Sequence, residues 1–324
     1  MPGPAAPEAP DAPAAPAAPV AVVMVTWNSA AVLPDFLASL PKGMDGLDWR
    51  LVVADNDSAD DTVALINELA PDATVVQTGR NAGYAAGVNA ALAAAADWDG
   101  GHGAVLVCNP DIRMERGCAA TLVQALGTVL PGGDRVGISV PLLYEEDHAL
   151  IHSLRRESSI TRALGEAVIG NTRAGRFPNW SELVTDPEAY TRQTRADWAT
   201  GALMAISADC LAACGPWDEG FFLYSEETEY CLRAGDLRYA TRLEPEAAAV
   251  HLGGESKVSP KLWTLLTLNR VRLYRRRNGA AATLAFRAAV LLRESSRALL
   301  GRAPNRAAAA ALLNPASLGR TPGP

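Results

Sequence analysis

The chain has 324 residues, 49% of them hydrophobic, enough to bury one large core or two smaller ones. Its net charge of −7 is uneven: residues 257–306 hold twelve Lys or Arg against Glu294 alone, which leaves −18 on the remainder. An acidic body excludes a general nucleic-acid binder, while the basic end reads either as a surface that meets anions or as a solvated helix face. No apolar run reaches the ~18 residues needed to span a bilayer. No charged segment followed by an apolar one opens the chain. Five scattered cysteines lack a second pair at zinc-site spacing. Together these features predict a cytoplasmic protein with reduced thiols, its basic end open to an anionic inner membrane face.

Residues 1–19 are nearly all Ala and Pro, with Pro at every third place from Pro4 to Pro19. Such a stretch cannot bury a core and is expected to be a disordered tail. The fold begins at Val20. Residues 20–25 form an apolar run, hence a buried strand, and Thr26-Trp27-Asn28-Ser29 then leads into a helix. A second strand, 51–54, ends in Asp55. The acids at 60 and 61 suit the first turn of a helix, but Asp55 follows the strand directly and can accept hydrogen bonds from a base or a ribose. A third strand, 74–77, precedes Gly79, Gly83 and Gly87, whose spacing lets a backbone come close to something. Arg80 beside that turn can pair with a phosphate.

Residues 105–108 run straight into Asn109-Pro110-Asp111. Pro110 cannot donate to a ladder, so the strand stops there. Asp111 then lies just past the carboxyl end of a central strand, where open α/β sheets bind ligands. A carboxylate in that place can hold a hard divalent cation against a phosphate, although the same residues also suit a plain turn. Residues 143–197 are polar and irregular. Pattern returns with a strand at 198–206 and a helix at 208–214. Ser225 is a natural N-cap, and Glu226 and Glu227 fit the first turn of a further helix; beside aromatic residues, such a carboxylate can also act as a general base. His251 closes an apolar run before two glycines, where an imidazole can complete a metal site begun by Asp111. Residues 257–301 read as basic amphipathic helices, and residues 302–324 as a disordered tail.

Eight short motifs occur in order: Val-Thr-Trp-Asn (25–28), Ala-Asp-Asn-Asp-Ser (54–58), Asn-Ala-Gly-Tyr-Ala-Ala-Gly-Val-Asn (81–89), Asn-Pro-Asp (109–111), Thr-Gly-Ala (200–202), Trp-Asp-Glu-Gly-Phe-Phe (217–222), Glu-Glu-Thr-Glu-Tyr-Cys-Leu-Arg (226–233) and Val-His (250–251). With them the chain resembles the family 2 glycosyltransferases, in particular the bacterial rhamnosyl- and galactofuranosyltransferase-like branch. The resemblance runs from residue 20 to about 256. It implies a GT-A fold, an α/β domain with a mostly parallel sheet flanked by helices, followed here by the helical extension.

The resemblance also implies roles. Thr26, Asn28, Asp55 and Arg80 would line the nucleotide pocket, with Asn81, Gly83 and Asn89 close by. Asp111 would be the metal-binding acid of the family's Asp-x-Asp motif, with Asn109 replacing its first Asp and His251 as a further ligand for Mg²⁺ or Mn²⁺. The base is usually the Asp of a Glu-Asp pair; here Glu227 holds that position, one methylene longer, beside Glu226. Trp198, Thr200, Gly201, Asp218 and Glu219 would lie near the donor sugar or the acceptor. The implied activity is inverting transfer of a sugar, rhamnose being one candidate, from a dTDP- or UDP-linked donor to a glycan, a lipid-linked saccharide or a small molecule. The competing readings are a nucleotide-sugar-binding protein without catalysis and a nucleotidyltransferase. The second would want a basic glycine-rich loop near the N-terminus, which residues 25–29 do not provide.

Overall fold

The computed structural model describes residues 18–96, 98, 101–253 and 259–319. Most of the Ala/Pro tail and the last five residues of the chain lie outside these. The first half alternates strand and helix: β1 (Val20–Thr26), α1 (Leu33–Gly43), β2 (Trp49–Asp55), α2 (Thr62–Leu69), β3 (Thr74–Gln77), α3 (Tyr84–Ala96), β4 (Ala104–Cys108), β5 (Ile112–Met114) and α4 (Cys118–Ala125). There follow β6 (Arg135–Tyr144), β7 (Leu150–Ile151), β8 (Leu154–Arg155), α5 (Ile160–Ile169), α6 (Asn171–Ala174), β9 (Thr194–Ala196), β10 (Trp198–Ala199), β11 (Leu203–Ser207), α7 (Ala208–Cys214), α8 (Glu226–Asp236) and β12 (Tyr239–His251). Three helices close the chain: α9 (Pro260–Arg277), α10 (Ala280–Leu299) and α11 (Ala303–Leu313).

The main sheet has the order β3-β2-β1-β4-β11-β6-β12-β5. Strands β3, β2, β1 and β4 run parallel, β11 is reversed, and β12 again runs parallel to β6. This is the expected α/β class. Every residue of β1 is buried, because helices cover both faces of the sheet. Val20, Val22 and Met24 pack with Phe36 and Leu40 of α1, while Ala21, Val23 and Val25 pack with Ala85, Val88 and Ala91 of α3. The continuous apolar run is thus two alternating sets of two-residue period.

The structure differs from the expected strands in two places. The stretch 198–206 breaks at Thr200-Gly201, and β10 pairs instead with β8 in a small separate sheet. The apolar run that His251 closes is the end of one longer strand, residues 239–251, with a register shift between Glu244 and Ala248. Pro245 lies in that shift and has no N–H for the ladder. The five cysteines are free and buried.

The C-terminal helices pack on the domain's flank. Val271, Tyr274, Phe286, Val290 and Leu312 form a core with Ala163 of α5, and the rings of Tyr274 and Phe286 stack at 4.0 Å. Three of the basic residues are tied to the acidic body. Arg270 reaches Glu166 and Glu182 at 2.9 and 3.0 Å, Arg276 pairs with Asp218, and Arg277 bridges Asp236 and Glu157 at 2.7 and 2.6 Å. Part of the charge imbalance of the sequence is therefore an internal clamp. The expectation of disorder from residue 302 is corrected: residues 303–313 form α11. Its alanines hide a packed face, Ala308 and Leu312, and Arg287 Nε donates to the Leu312 carbonyl at 2.8 Å near the helix C-terminus.

Candidate active site

The parallel register sets Thr26 opposite Asp55. Thr26 Oγ1 donates to Asp55 Oδ1 at 2.8 Å, and the Ser58 hydroxyl and N–H close on the same carboxylate at 2.6 and 2.9 Å. Asp55 is buried and spends both oxygens on this loop. Asn28 has φ of 50°, a left-handed conformation that Asn tolerates. Its amide oxygen accepts from Ala59 N–H at 2.8 Å, and its own N–H donates to Ser58 Oγ at 2.9 Å. Between these two residues Trp27 is 55% exposed.

At the glycine turn the close approach is to protein backbone. Gly83 has φ of 98°, and a Cβ there would overlap the Phe222 carbonyl, which accepts from Tyr84 N–H at 2.9 Å. The side chain of Asn89 accepts from Trp217 N–H at 2.8 Å and donates to the Trp217 carbonyl and to Glu219 at 3.0 and 2.9 Å. Asn89 and Glu219 thus anchor the loop that ends in Phe222.

His251 pairs with Ile112 across β12 and β5, which brings it beside Asp111. Their Nε2 and Oδ2 lie 3.4 Å apart. Asp111 Oδ1 is buried without a partner. A Cβ on Gly253 would stand 2.7 Å from His251 Nε2 and 3.0 Å from Asp111 Oδ2. An orphaned carboxylate oxygen, an imidazole nitrogen and a glycine that keeps the space beside them clear fit a divalent cation with oxygen and nitrogen ligands. Two protein ligands leave most of the shell to phosphate and water, and among the described residues no group of three or more such side chains gathers.

Helix α8 begins with two residues in the left-handed region, Tyr224 (φ 68°) and Ser225 (φ 77°). Such strain collects at functional sites. Ser225 occupies the N-cap position, but its hydroxyl makes no cap bond, contrary to expectation, because this φ turns its side chain away from the helix N–H groups. The turn delivers Glu226 inward, where it is buried, and leaves Glu227 partly open. Both have an Oε2 that is buried and without a partner. Burial, and then the charge of Glu227, pushes the Glu226 carboxyl well above its usual range. Burial also raises Glu227. Gly201 explains the room: a Cβ there would lie 2.9 Å from Glu227 Cβ. Tyr84 projects toward this group. Its hydroxyl is buried without a partner, and burial, Cys108 and the carboxylates Glu226, Glu227 and Asp111 hold it protonated.

Two cavities lie beside these groups. The first, of about 1390 Å³, is lined by Thr26, Trp27, Asn28, Asn81, Asn109 and Asp111, with Lys261 and Arg272 from α9. The second, of about 1150 Å³, is lined by Glu227, Trp198, Tyr224, Arg155, Arg270 and Arg297 among others. Helix α9 is the wall between them: Lys261, Thr264, Leu265 and Leu268 face the first, and Trp263, Leu266, Arg270 and Leu273 face the second. Of the residues singled out from the sequence, Asp55, Arg80, Asn89, Thr200, Gly201, Asp218, Glu219, Glu226 and His251 line neither cavity. Arg80 is exposed, Asp218 is held by Arg276, and Thr200 N–H donates to the Ser153 carbonyl at 3.0 Å. Sequence reasoning missed Trp27, Tyr84, Lys261 and Arg155. An exposed aromatic directly after a buried strand was a legible signal for Trp27. Lys261 and Arg155 arrive from distant elements and left none.

A mostly parallel α/β sheet with a cleft at its strand ends and helices on both faces is the GT-A fold of glycosyltransferases. Solved structures agree on the fold. GalNAc-T7 with UDP, GalNAc and Mn²⁺ has a TM-score of 0.54 at 16% identity over 80% of this chain, which spans 48% of that protein's length. Mannosyltransferase PcManGT from Pyrobaculum calidifontis, in complex with GDP-Man and Mn²⁺, has a TM-score of 0.53 at 16% identity over 93% of this chain and 82% of its own. Residues 21–148 match the family model "Glycosyl transferase family 2". The chain is also 27% identical, over 235 residues, to the N-acetylglucosaminyl-diphospho-decaprenol L-rhamnosyltransferase of Mycobacterium tuberculosis H37Rv, across 71% of this chain and 74% of that relative. The match over residues 21–148 and the likeness to the rhamnosyltransferase together support a glycosyltransferase.

Proposed function

We propose that this enzyme moves a sugar, with inversion, from a nucleoside diphosphate donor in the first cavity to an acceptor hydroxyl in the second, in the synthesis of a cell-surface polysaccharide or glycoconjugate. The observation that carries the reading is Glu227: a partly open carboxylate of raised pKa on the wall of the second cavity, with a metal-competent acid on the wall of the first. The exposed ring of Trp27 offers a face for a nucleobase, and Lys261 offers charge for the phosphates. The likeness to a rhamnosyltransferase supports a dTDP- or UDP-linked donor, with rhamnose as the first sugar to try.

Asp111 and His251 would hold Mg²⁺ or Mn²⁺ beside the donor's diphosphate. A cation there offsets the charge that grows on the leaving diphosphate. Glu227 takes the proton from the acceptor hydroxyl as that oxygen attacks the anomeric carbon from the opposite face. Glu226, kept neutral by burial, adds no second charge beside the base. The neutral Tyr84 hydroxyl stands as a donor near both acids. A single displacement inverts the centre and needs no enzyme nucleophile.

The test is release of nucleoside diphosphate from a panel of donors, with Mg²⁺, Mn²⁺ or EDTA. Slow metal-dependent hydrolysis of one donor, abolished in Asp111→Ala, is expected. With an acceptor present, Glu227→Gln should lower kcat by about 100- to 10,000-fold while donor affinity stays within twofold. Donor binding without any turnover, indifferent to Glu227→Gln, would return the protein to the class of nucleotide-sugar binders.

A further inference from the structure

The turn that delivers Glu227 is held from outside its own helix. Tyr224 and Ser225 are both left-handed, a conformation that a bulky residue keeps only under constraint. Three successive carbonyls ahead of α8 are occupied by donors from other elements. Phe222 accepts from Tyr84 N–H at 2.9 Å. Leu223 and Tyr224 accept from the side-chain amide of Asn269 at 2.9 and 3.0 Å. Asn269 is fully buried in the middle of α9, where Asn is a poor helix former. So polar a side chain is buried there because its bonds are made.

Asn269 is itself fixed. Its amide oxygen accepts from Arg272 Nη1 at 2.6 Å, one helical turn on. With the oxygen committed to a guanidinium, the two amide hydrogens are left for the two carbonyls. The other nitrogens of Arg272 donate to the carbonyls of Ser317 and Leu318, at 2.7 and 3.3 Å, in a last 3-10 turn, Pro315–Leu318. On the same helix Leu273 packs with Phe221 and Leu232, which lie on either side of the strained turn. A chain of contacts thus runs from the C-terminal segment through Arg272 and Asn269 to the backbone that carries Glu227. Asn269 lines neither cavity, so any effect it has on the chemistry passes through that backbone.

We propose that Asn269 is a positioning residue for the Glu227 base, held in its working orientation by Arg272. This rests on the reading of Glu227 as the base. Without the two amide bonds the carbonyls of Leu223 and Tyr224 lose their buried donors, and the turn relaxes toward right-handed conformations. Ser225 then reaches the helix N–H groups that it now misses, and Glu227 moves off the wall of the second cavity. A catalytic group displaced by about 1 Å loses much of its rate.

The test is nucleoside diphosphate release by the full chain from the donor that the wild type turns over, dTDP-rhamnose first. Asn269→Leu, close to Asn in shape but without its hydrogen bonds, is compared alone and combined with Glu227→Gln. Alone it should lower kcat by about 10- to 100-fold, while calorimetric affinity for free dTDP or UDP stays within twofold. In the Glu227→Gln background it should cost less than a further twofold, because residues that act as a unit are not additive. Asn269→Ser, which keeps one short donor, should lose less than Asn269→Leu, and it carries the test if circular dichroism shows the leucine variant unfolded. Arg272→Lys, which keeps the charge but not the fork, should repeat the Glu227-dependent loss. An unchanged kcat in a folded Asn269 variant, or an equal fall with and without Glu227, would overturn the role. An indifferent Arg272→Lys would remove Arg272 from it. Glu227→Gln without effect brings down the base reading itself, whereas its full effect beside an indifferent Asn269→Leu removes the positioning role alone.

Discussion

Glu227 and Glu226 show how one turn of helix makes two different acids. Both are raised by burial, so a base at position 227 reaches its active form only above the ordinary glutamate range. The rate should climb with pH through that raised value, and the limb should vanish in Glu227→Gln; a profile with its limb near pH 4 would contradict this. The same shifts act on stability. Between the ordinary glutamate pKa and the raised one, the folded chain keeps a proton that the unfolded chain has released. Raising the pH across that window therefore favours unfolding, and the contribution is whole only below it. Glu226→Gln should flatten this fall, which denaturant melts at a series of pH values would show. Gly201 is a second residue-scale lever. A methyl group in Gly201→Ala would press on Glu227 Cβ from 2.9 Å, so kcat should fall at least tenfold while donor affinity holds. The glycine at 201 was visible in the sequence. Its purpose was not, because its neighbour comes from a helix 26 residues away.

At the scale of the element, the start of α8 stores backbone strain at Tyr224 and Ser225. Glycine pays no Cβ penalty in that conformation. Ser225→Gly should raise stability by about 1 kcal/mol, read by urea melts, unless the N-terminal turn of α8 loosens, in which case activity falls as well. The strands of the sheet were legible because continuous apolar runs ending in Asp or Asn are hard to read otherwise, and β3 was placed at 74–77 as expected. Helix α11 was not legible, since an alanine run signals a helix only when its partner face is known. The clamp roles of Asp55 and Asn89 were hidden for a related reason. A polar residue at a strand or helix end looks alike whether it faces a ligand or a neighbouring loop, and only the register across β1 and β2 tells the two apart.

Over the whole molecule, the basic extension and the acidic body are held together by arginines whose partners lie 41 to 120 residues away, such as Arg270 and Glu166. The two carboxylates that Arg270 answers, Glu166 and Glu182, are buried, so removing this cation leaves charge without an answer. Arg270→Met should cost about 3–5 kcal/mol in equilibrium unfolding, far more than breaking an exposed pair such as Arg116–Asp45, worth about 0–1 kcal/mol. Composition revealed the two opposite charges but not that they meet. No helix of the described residues is long and apolar enough to cross a membrane.

Helix α9 turns one face to each cavity. On a rod of 3.6 residues per turn the two stripes interleave without sharing a side chain. Lys261, Thr264 and Leu268 can stay fixed while Trp263, Leu266 and Arg270 drift, or the reverse. On the proposed assignment of donor to the first cavity and acceptor to the second, a lineage that carries this helix can change whom it glycosylates without changing what it glycosylates with, and two specificities are inherited as separate letters of one short text.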